Sequence, residues 1–326
     1  MALTGTAASI RPAAAPGLPV FSTQTRLLVV APHPDDETIA TGLLIQQVRA
    51  AGGKVRILLL TAGDNNPWPQ RWLEQRVWIR DADRRRWGDR RREEMRHAMQ
   101  KLDLPASALE CMGWPDMGLN ACLLQPESMA VSLLAAAIDR FGPNLIALPS
   151  IADGHPDHGA AHVLVRLALA SRSAAPQLLT YLVHGQAGHA GFIELEGSRR
   201  QVVKKQAALA EHASQMALSG RRMRRLAMRA ERYFAVRAVS SVVLPWQPPV
   251  LLRPWLRLSL VSSAGAQSWS WHKAPLRDLA DGGYQLSPTG GMAGRPWFAR
   301  LATTLPSPWI FDHWGWCELP GDLPLS

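Results

Sequence analysis

Leu27-Leu28-Val29-Val30-Ala31-Pro32-His33-Pro34-Asp35-Asp36-Glu37 is the stretch whose reading decides the fold. Leu27 to Val30 is an apolar, strand-like run. Proline is favoured at the first position of a helix, so the chain is expected to turn helical within His33 to Glu37. A second stretch repeats the grammar: Leu145 to Pro149 is apolar and is followed by His155-Pro156-Asp157-His158, with His162 just beyond. Both polar segments then lie where parallel strands end and helices begin, the crevice in which open α/β sheets hold ligands.

Working outward, strand-like and helix-like runs alternate. Asp36 to Ala50 reads as a helix closed by Gly52-Gly53, and Val55 to Leu60 as a strand ending at Thr61-Ala62-Gly63-Asp64. A long polar stretch follows. Then come a helix around Arg85 to Leu102, a strand at Leu109 to Met112, a helix at Pro126 to Phe141, the strand at Leu145 to Pro149, a helix from His158 to Ser171 and a strand at Gln177 to Val183. This order predicts an α/β fold, a Rossmann-like, mostly parallel sheet with helices on both faces. Near residue 240 the pattern changes to proline-rich sequence and short Trp-bearing runs (Trp255 to Ser262, Trp269 to Lys273, Trp297 to Thr303, Trp309 to Cys317), and eight of the thirteen tryptophans lie there. The expected organisation is a loose N-terminal arm at 1–25, a main domain at 26–240 and a small β-rich appendage at 241–326.

Composition narrows the class. The chain of 326 residues is 47% hydrophobic, enough for a substantial core. Cys111, Cys122 and Cys317 are too few and too scattered for a disulfide framework, which fits a reducing cytoplasm. No apolar run approaches the roughly 18 residues that suggest a membrane span. Between Arg199 and Arg237, eleven lysines and arginines face two glutamates, nearly the whole of the net +10. Met223, Leu226, Ala230 and Tyr233 recur there at helical spacing, so the second half of this segment reads as an amphipathic basic helix. The plainest account is a solvated face docked by its apolar stripe. A phosphate-bearing substrate or peripheral contact with an anionic membrane ranks next, and nucleic acid last.

The two histidine segments look like halves of one metal site. Residues three apart on a first helical turn share a face, which brings His33 and Asp36 to a common ion and leaves Asp35 pointing elsewhere. Helix dipoles attract Asp and Glu to N-termini, but that accounts for the acids and not for His33. Spacing alone does not choose between His155 and His158 as ligand, and His162, leading into Val163-Leu164-Val165, reads as core or as support for a ligand. Two imidazoles and one carboxylate with room for water match a catalytic zinc, and equally ferrous iron.

His33-Pro34-Asp35-Asp36-Glu37 followed by His155-Pro156-Asp157-His158 resembles the LmbE-like, or PIG-L, family of metal-dependent N-deacetylases, which act on N-acetylglucosaminyl compounds. Arg91-Arg92-Glu93-Glu94, Trp114-Pro115-Asp116 and the Lys205 to Gln215 run are similar to further motifs of that family, so the likeness extends from about residue 26 to 235. The resemblance implies His33, Asp36 and His158 as metal ligands and Asp35 as general base. It implies His155 as the group that stabilises the oxyanion or protonates the leaving amine, with Asp157 orienting His155. It also implies Arg91 and Asp116, with Asp64 as a third, holding sugar hydroxyls. The activity implied is zinc-dependent hydrolysis of a linear amide on an N-acetylated amino sugar; the basic segment and Trp-rich tail are compatible with a phosphorylated or lipid-linked one. Amide hydrolysis of another conjugate is the nearest alternative. A non-catalytic polyanion- or membrane-binding protein is the alternative of a different class, and the Trp-rich tail reads as a β core or a homo-oligomer interface.

Overall fold

In the computed structural model, strand β1 (Arg26–Ala31) has Leu27 to Ala31 fully buried, as expected of a central strand covered on both faces. Residues 17–125, 129–172, 174–185, 191–236, 239, 241–287, 294–305 and 310–320 are described here. Along the chain follow α1 (Asp36–Ala50), β2 (Lys54–Thr61), α2 (Pro67–Glu74), α3 (Asp81–Lys101), β3 (Leu109–Trp114), α4 (Leu119–Leu124), α5 (Met129–Phe141), β4 (Leu145–Pro149), α6 (Pro156–Ala168), β5 (Gln177–Tyr181), β6 (Phe192–Leu195), α7 (Arg199–Glu211), α8 (Ala213–Ala227) and β7 (Glu231–Ala235).

These strands form one seven-stranded sheet in the order β3-β2-β1-β4-β5-β7-β6. The first five are parallel, and β7 is antiparallel to both of its neighbours. The mostly parallel α/β architecture expected from the alternating pattern is therefore present, with an antiparallel edge that the pattern did not reveal. Because β2 lies on one side of β1 and β4 on the other, the strand order reverses at β1/β4, and a crevice opens at the carboxyl ends of those two strands. Apolar clusters cover both faces of the sheet. One includes Leu27, Leu44, Met95 and Leu209, and the other Leu28, Ile138, Ile146 and Leu164.

The remaining residues build two small antiparallel sheets from β8 (Val243–Leu244), β9 (Leu256–Ser262), β10 (Gly265–Ser270), β11 (Leu276–Asp278), β12 (Tyr284–Leu286), β13 (Trp297–Thr303) and β14 (Gly315–Leu319). Their orders are β10-β9-β13-β14 and β11-β12-β8. Val261, Phe298 and Trp316 of the four-stranded sheet join the same apolar cluster as α4, α5 and α6. Trp316 lies where a side chain on Gly159 of α6 would collide with it, and its indole N–H donates to Asn120 Oδ1 at 2.8 Å. Arg166 of α6 meets Glu318 through two hydrogen bonds of 2.8 and 2.6 Å. The C-terminal β unit is thus fastened to the α6 face of the sheet.

Several local expectations are corrected. The polar stretch after β2 contains α2, begun by Asn66 accepting from Trp68 N–H with Pro67 at the first helical position. Helix α3 starts at Asp81 rather than near Arg85. The basic helix ends at Ala227, so Tyr233 is not on its apolar stripe. Tyr233 is instead a buried residue of β7 whose hydroxyl donates to Ala40 O at 3.0 Å. Arginines 221, 222, 224 and 225 of α8 are exposed. Among the described residues, no helix is long and apolar enough to cross a membrane. The anticipated arm falls mostly at 1–16, and Trp309 and Arg237 also lie outside the described residues.

Candidate metal centre and cavity

Helix α1 starts at Asp36, within His33 to Glu37 as expected, and the residue before it carries the unusual backbone. Asp35 has φ of 123°, a left-handed value costly for a residue with a side chain, and its carboxylate makes no capping bond to the helix. Glu37 holds that backbone in place: Glu37 Oε2 accepts Asp35 N–H at 3.0 Å, while Oε1 accepts from the Thr38 hydroxyl at 2.6 Å and lies 3.0 Å from His212 Nε2. Arg91 donates to the carbonyls of Gly63 and Pro34, the latter at 2.7 Å, and stands 3.5 Å from Asp35 Oδ2. It ties together the loops that leave β1 and β2. Gly63, at φ 62°, leaves the room it needs, since a Cβ there would lie 1.8 Å from the guanidinium.

At the carboxyl end of β4, His155 is the N-cap of α6, accepting Asp157 N–H on Nδ1 at 3.2 Å. That bond leaves the proton of the neutral ring on Nε2. One oxygen joins the two segments: Asp36 Oδ2 is 3.3 Å from His33 Nδ1 and 3.2 Å from His158 Nε2. His33 and His158 stack with ring centroids 5.4 Å apart, and His155 lies 4.6 Å from His33. The proximity of His33 and Asp36 comes from the strand-to-helix turn, where Asp36 Oδ2 also accepts His33 N–H at 2.9 Å, and not from a shared helical face.

Ligand-type atoms are grouped more densely than sequence spacing suggested. His33, His155 and His158 converge, as do Asp36, His158 and His184, and His33, Asp116 and Asp157, each trio offering atoms within 4.8 Å of one another. His33 Nε2 and both ring nitrogens of His158 are buried and make no hydrogen bond of proper geometry, although carboxylate oxygens approach them at 3.2 to 3.5 Å. Nitrogens crowded by oxygens but not bonded to them, in a buried set of two imidazoles and a carboxylate, fit a divalent metal. The set suits zinc and ferrous iron alike.

The electrostatics separate neighbouring groups. Burial raises the Asp35 carboxyl to about 6 against the opposing pull of Arg91. Burial also acts on Asp36, but His158 and His33 outweigh it and hold that carboxyl well below the ordinary range. Burial, reinforced by the charges of His33 and His158, lowers the His155 imidazole to about 2. His158 is driven the other way, to about 10, because Asp153 and Asp36 overcome its burial.

The expected site residues take different positions. The Asp157 carboxylate does not touch His155; it accepts from Met117 N–H at 2.7 Å and Leu119 N–H at 3.2 Å, so only its backbone N–H sets the ring of His155. Arg91 is buried and donates to protein carbonyls while also lining the cavity. Asp64 is absent from the cavity wall, where its neighbours Asn65 and Asn66 stand instead. Asp116 does face the site, with Oδ1 3.3 Å from His33 Nε2 and Oδ2 accepting Asn65 N–H at 2.6 Å. His162 bonds Pro149 O at 2.9 Å and packs on Phe298, away from the centre.

Two polar residues were missed. Asp153, in the turn after β4, sits 3.2 Å from His158 Nδ1 and accepts the N–H groups of Val183 and His184, tying the ends of β4 and β5 together. His184 follows β5, and a histidine just beyond a parallel strand was the available signal. The cavity over these groups measures about 460 Å³, with His33, Asp35, Asp36, Asp116 and His155 on its polar side.

Residues 28–169 match the family model described as PIG-L: GlcNAc-PI de-N-acetylase. A 1D-myo-inositol 2-acetamido-2-deoxy-alpha-D-glucopyranoside deacetylase of Mycolicibacterium vanbaalenii is 31% identical over 163 residues, 45% of this chain and 55% of its own length. The protein of the same name from Mycobacterium leprae is 30% identical over 171 residues, 48% and 54% of the two chains. The chain thus spans about half the length of the curated relatives it matches. Among solved structures, a deacetylase of the teicoplanin biosynthetic pathway superimposes with a TM-score of 0.52 at 20% identity, over 67% of this chain and 100% of that one. The deacetylase of the A40926 pseudoaglycone gives 0.51 at 18%, with the same coverage. These superpositions show a shared fold.

Proposed function

From the premise that residues 28–169 form a PIG-L (LmbE-like) family domain, we propose that this chain is a metal-dependent N-deacetylase of an N-acetylglucosamine-type amino sugar or conjugate. The observation that carries the reading is Asp36 Oδ2 within 3.3 Å of both His33 and His158, beside an Asp35 carboxylate that caps nothing and faces the same cavity. The names of the curated relatives support the substrate class, GlcNAc-inositol being the first to try.

His33, Asp36 and His158 would hold the ion, which when bound supplies an acidified water and polarises the acetamide carbonyl. Asp35, titrating near 6, is ionised at neutral pH and takes the proton from the attacking water. As the C–O bond forms, negative charge grows on the carbonyl oxygen, and the Nε2–H of His155 is the donor available to receive it. When the C–N bond breaks, the amine must gain a proton, and Asp35, protonated as the water attacked, returns it, giving acetate and the free amino sugar. Asp116 and Asn65 remain on the wall as partners for sugar hydroxyls. Glu37 fixes the backbone of Asp35, and Arg91, on the cavity wall, steadies its side chain.

The test couples elemental analysis of the purified chain with acetate release from GlcNAc-inositol and other N-acetylglucosamine conjugates. Bound zinc or iron together with acetate release is expected; neither metal nor acetate ends the proposal.

A further inference from the structure

Glu37 reaches Asp35 with support from a distant part of the chain. Its Oε1 lies 3.0 Å from Nε2 of His212, 175 positions further on, and both side chains are buried. A carboxylate only accepts, so Nε2 carries the proton of this bond. Burial opposes charge on the ring, but Glu37 outweighs it and makes His212 easier to protonate than an exposed histidine, which strengthens the pairing.

His212 sits at the joint between α7 and α8, its N–H bonded to Leu209 O at 3.1 Å and its carbonyl accepting Gln215 and Met216 N–H at 3.0 Å. The joint is pinned to α3. The Ser214 hydroxyl donates to Glu94 Oε2 at 2.6 Å, and Ser214 N–H lies 3.0 and 3.2 Å from the two oxygens of that carboxylate. Glu94 stands three residues after Arg91, on the same face of α3. One turn of α3 thus bears on Asp35 twice: Arg91 stands 3.5 Å from its carboxylate, and Glu94 acts through Ser214, His212 and Glu37 on its backbone N–H.

We propose that His212 is a positioning residue for Asp35: it aims Glu37 at the Asp35 N–H, with Ser214 and Glu94 setting His212 in turn. Backbone at φ 123° persists in a residue with a side chain only where its surroundings over-determine it. Glu37 Oε2 is the acceptor for that N–H, and ordering a glutamate side chain costs rotamer freedom, so the anchor on its other oxygen keeps it aimed. Glu37, His212, Ser214 and Glu94 are absent from the cavity wall, so they act on the reaction only through Asp35. A catalytic group displaced by about 1 Å can cost about 10²-fold in rate.

The turnover arm of the test rests on the deacetylase reading, and the stability arm does not. His212→Ala should lower kcat by about 10- to 10²-fold while KM and metal content stay near the parent's, and His212→Gln, whose amide can still donate to Glu37, should recover most of the loss. In an Asp35→Ala background, the same His212→Ala change should alter turnover by less than about twofold, because the group it positions is gone. Ser214→Ala keeps the N–H bonds to Glu94 and should repeat the pattern with a smaller loss. A loss equally large without Asp35, or near-parent kcat in His212→Ala, overturns the proposal. For stability, calorimetry on the chelated chain compares Asp35→Gly with Asp35→Ala, the glycine variant melting higher while the backbone is held at positive φ. Adding His212→Ala to both should erase most of that difference; an unchanged difference, or none to begin with, overturns the proposal. A difference that is erased, with no acetate released by the parent, upholds the hold of His212 on Asp35 and defeats the deacetylase reading instead.

Discussion

Replacing Asp35 by Gly and by Ala tests the backbone and the chemistry at once. Both variants lose the carboxylate and its 3.5 Å contact with Arg91, so that loss cancels between them. What differs is the Cβ at φ 123°. A residue with a side chain held in such a region costs about 1–3 kcal/mol, whereas glycine loses about 0.5–1 kcal/mol more backbone entropy on folding. The glycine variant should therefore be the more stable by about 0.5–2 kcal/mol, the reverse of the ordinary order inside a helix. In a chain of this size that is a difference of roughly 1–6 °C in Tm, measured by calorimetry after chelation so that metal occupancy does not enter. Acetate release should fall about 10²- to 10⁴-fold in both, and in Asp35→Asn, because the base is gone while the proposed ligands remain. An alanine variant as stable as the glycine variant would refute the strained backbone. Turnover within tenfold of the parent would remove Asp35 from the chemistry.

His158→Ala should purify without metal and lose the rise in Tm that added zinc gives the parent, since only a folded state that binds the ion is stabilised by it; full metal occupancy on elemental analysis would overturn the ligand assignment. In the metal-free chain Asp153 and Asp36 overcome burial and keep His158 protonated up to about pH 10, so this pairing stabilises the fold fully below the unfolded ring's ordinary value near 6.5 and is lost as pH rises through about 10. Ligation needs the neutral ring, so metal uptake near neutrality should release a proton and tighten with rising pH, which calorimetry in buffers of different ionisation enthalpy would detect; pH-independent affinity contradicts this. Glu37→Gln weakens the pairing with His212 and the grip on Asp35 N–H, and should cost about 1–3 kcal/mol in denaturant unfolding while lowering kcat more than metal content. Trp316→Ala empties a buried site shared by α6 and the four-stranded sheet, and should cost about 3–5 kcal/mol in a single unfolding transition; a separate early transition of the C-terminal unit would show that the two do not share a core.

Sequence revealed most where structure is local. β4 and α1 have the predicted bounds, because each is a continuous run ended by unmistakable punctuation. The grouping of His33, Asp36, His155 and His158 was legible for a related reason: contiguous segments at two strand ends need only the topology of a parallel sheet to meet. Non-local features were not legible. Asp153 acts through the ends of two strands, one holding its backbone and the other donating to its carboxylate, and nothing in Asp153-Gly154 distinguishes that from an ordinary turn. Tyr233 fell at helical spacing from Met223 by coincidence; the alternation of buried Glu231, exposed Arg232 and buried Tyr233 on β7 was the truer period. Arg91 was expected to hold sugar hydroxyls; that Gly63 and Pro34 also engage its guanidinium appears only once the loops fold over it.

Asp35 and Asp36 show how one fold gives one residue type two environments. Both carboxyls are withdrawn from water, and burial alone would raise both. Asp36 Oδ2 lies between two imidazoles, whose positive charge when protonated, or whose shared ion when neutral, favours the carboxylate. Asp35 has Arg91 at 3.5 Å, already shared with two carbonyls, and His212 as cationic neighbours, and feels the negative charge of Asp36 and Glu37. The positive φ at Asp35 is what separates the two environments, since it redirects the chain between adjacent residues. The same backbone that costs folding energy thus leaves one carboxylate suited to bind an ion and its neighbour suited to exchange a proton near neutral pH. Adjacent titratable groups driven apart in this way mark an acid–base site.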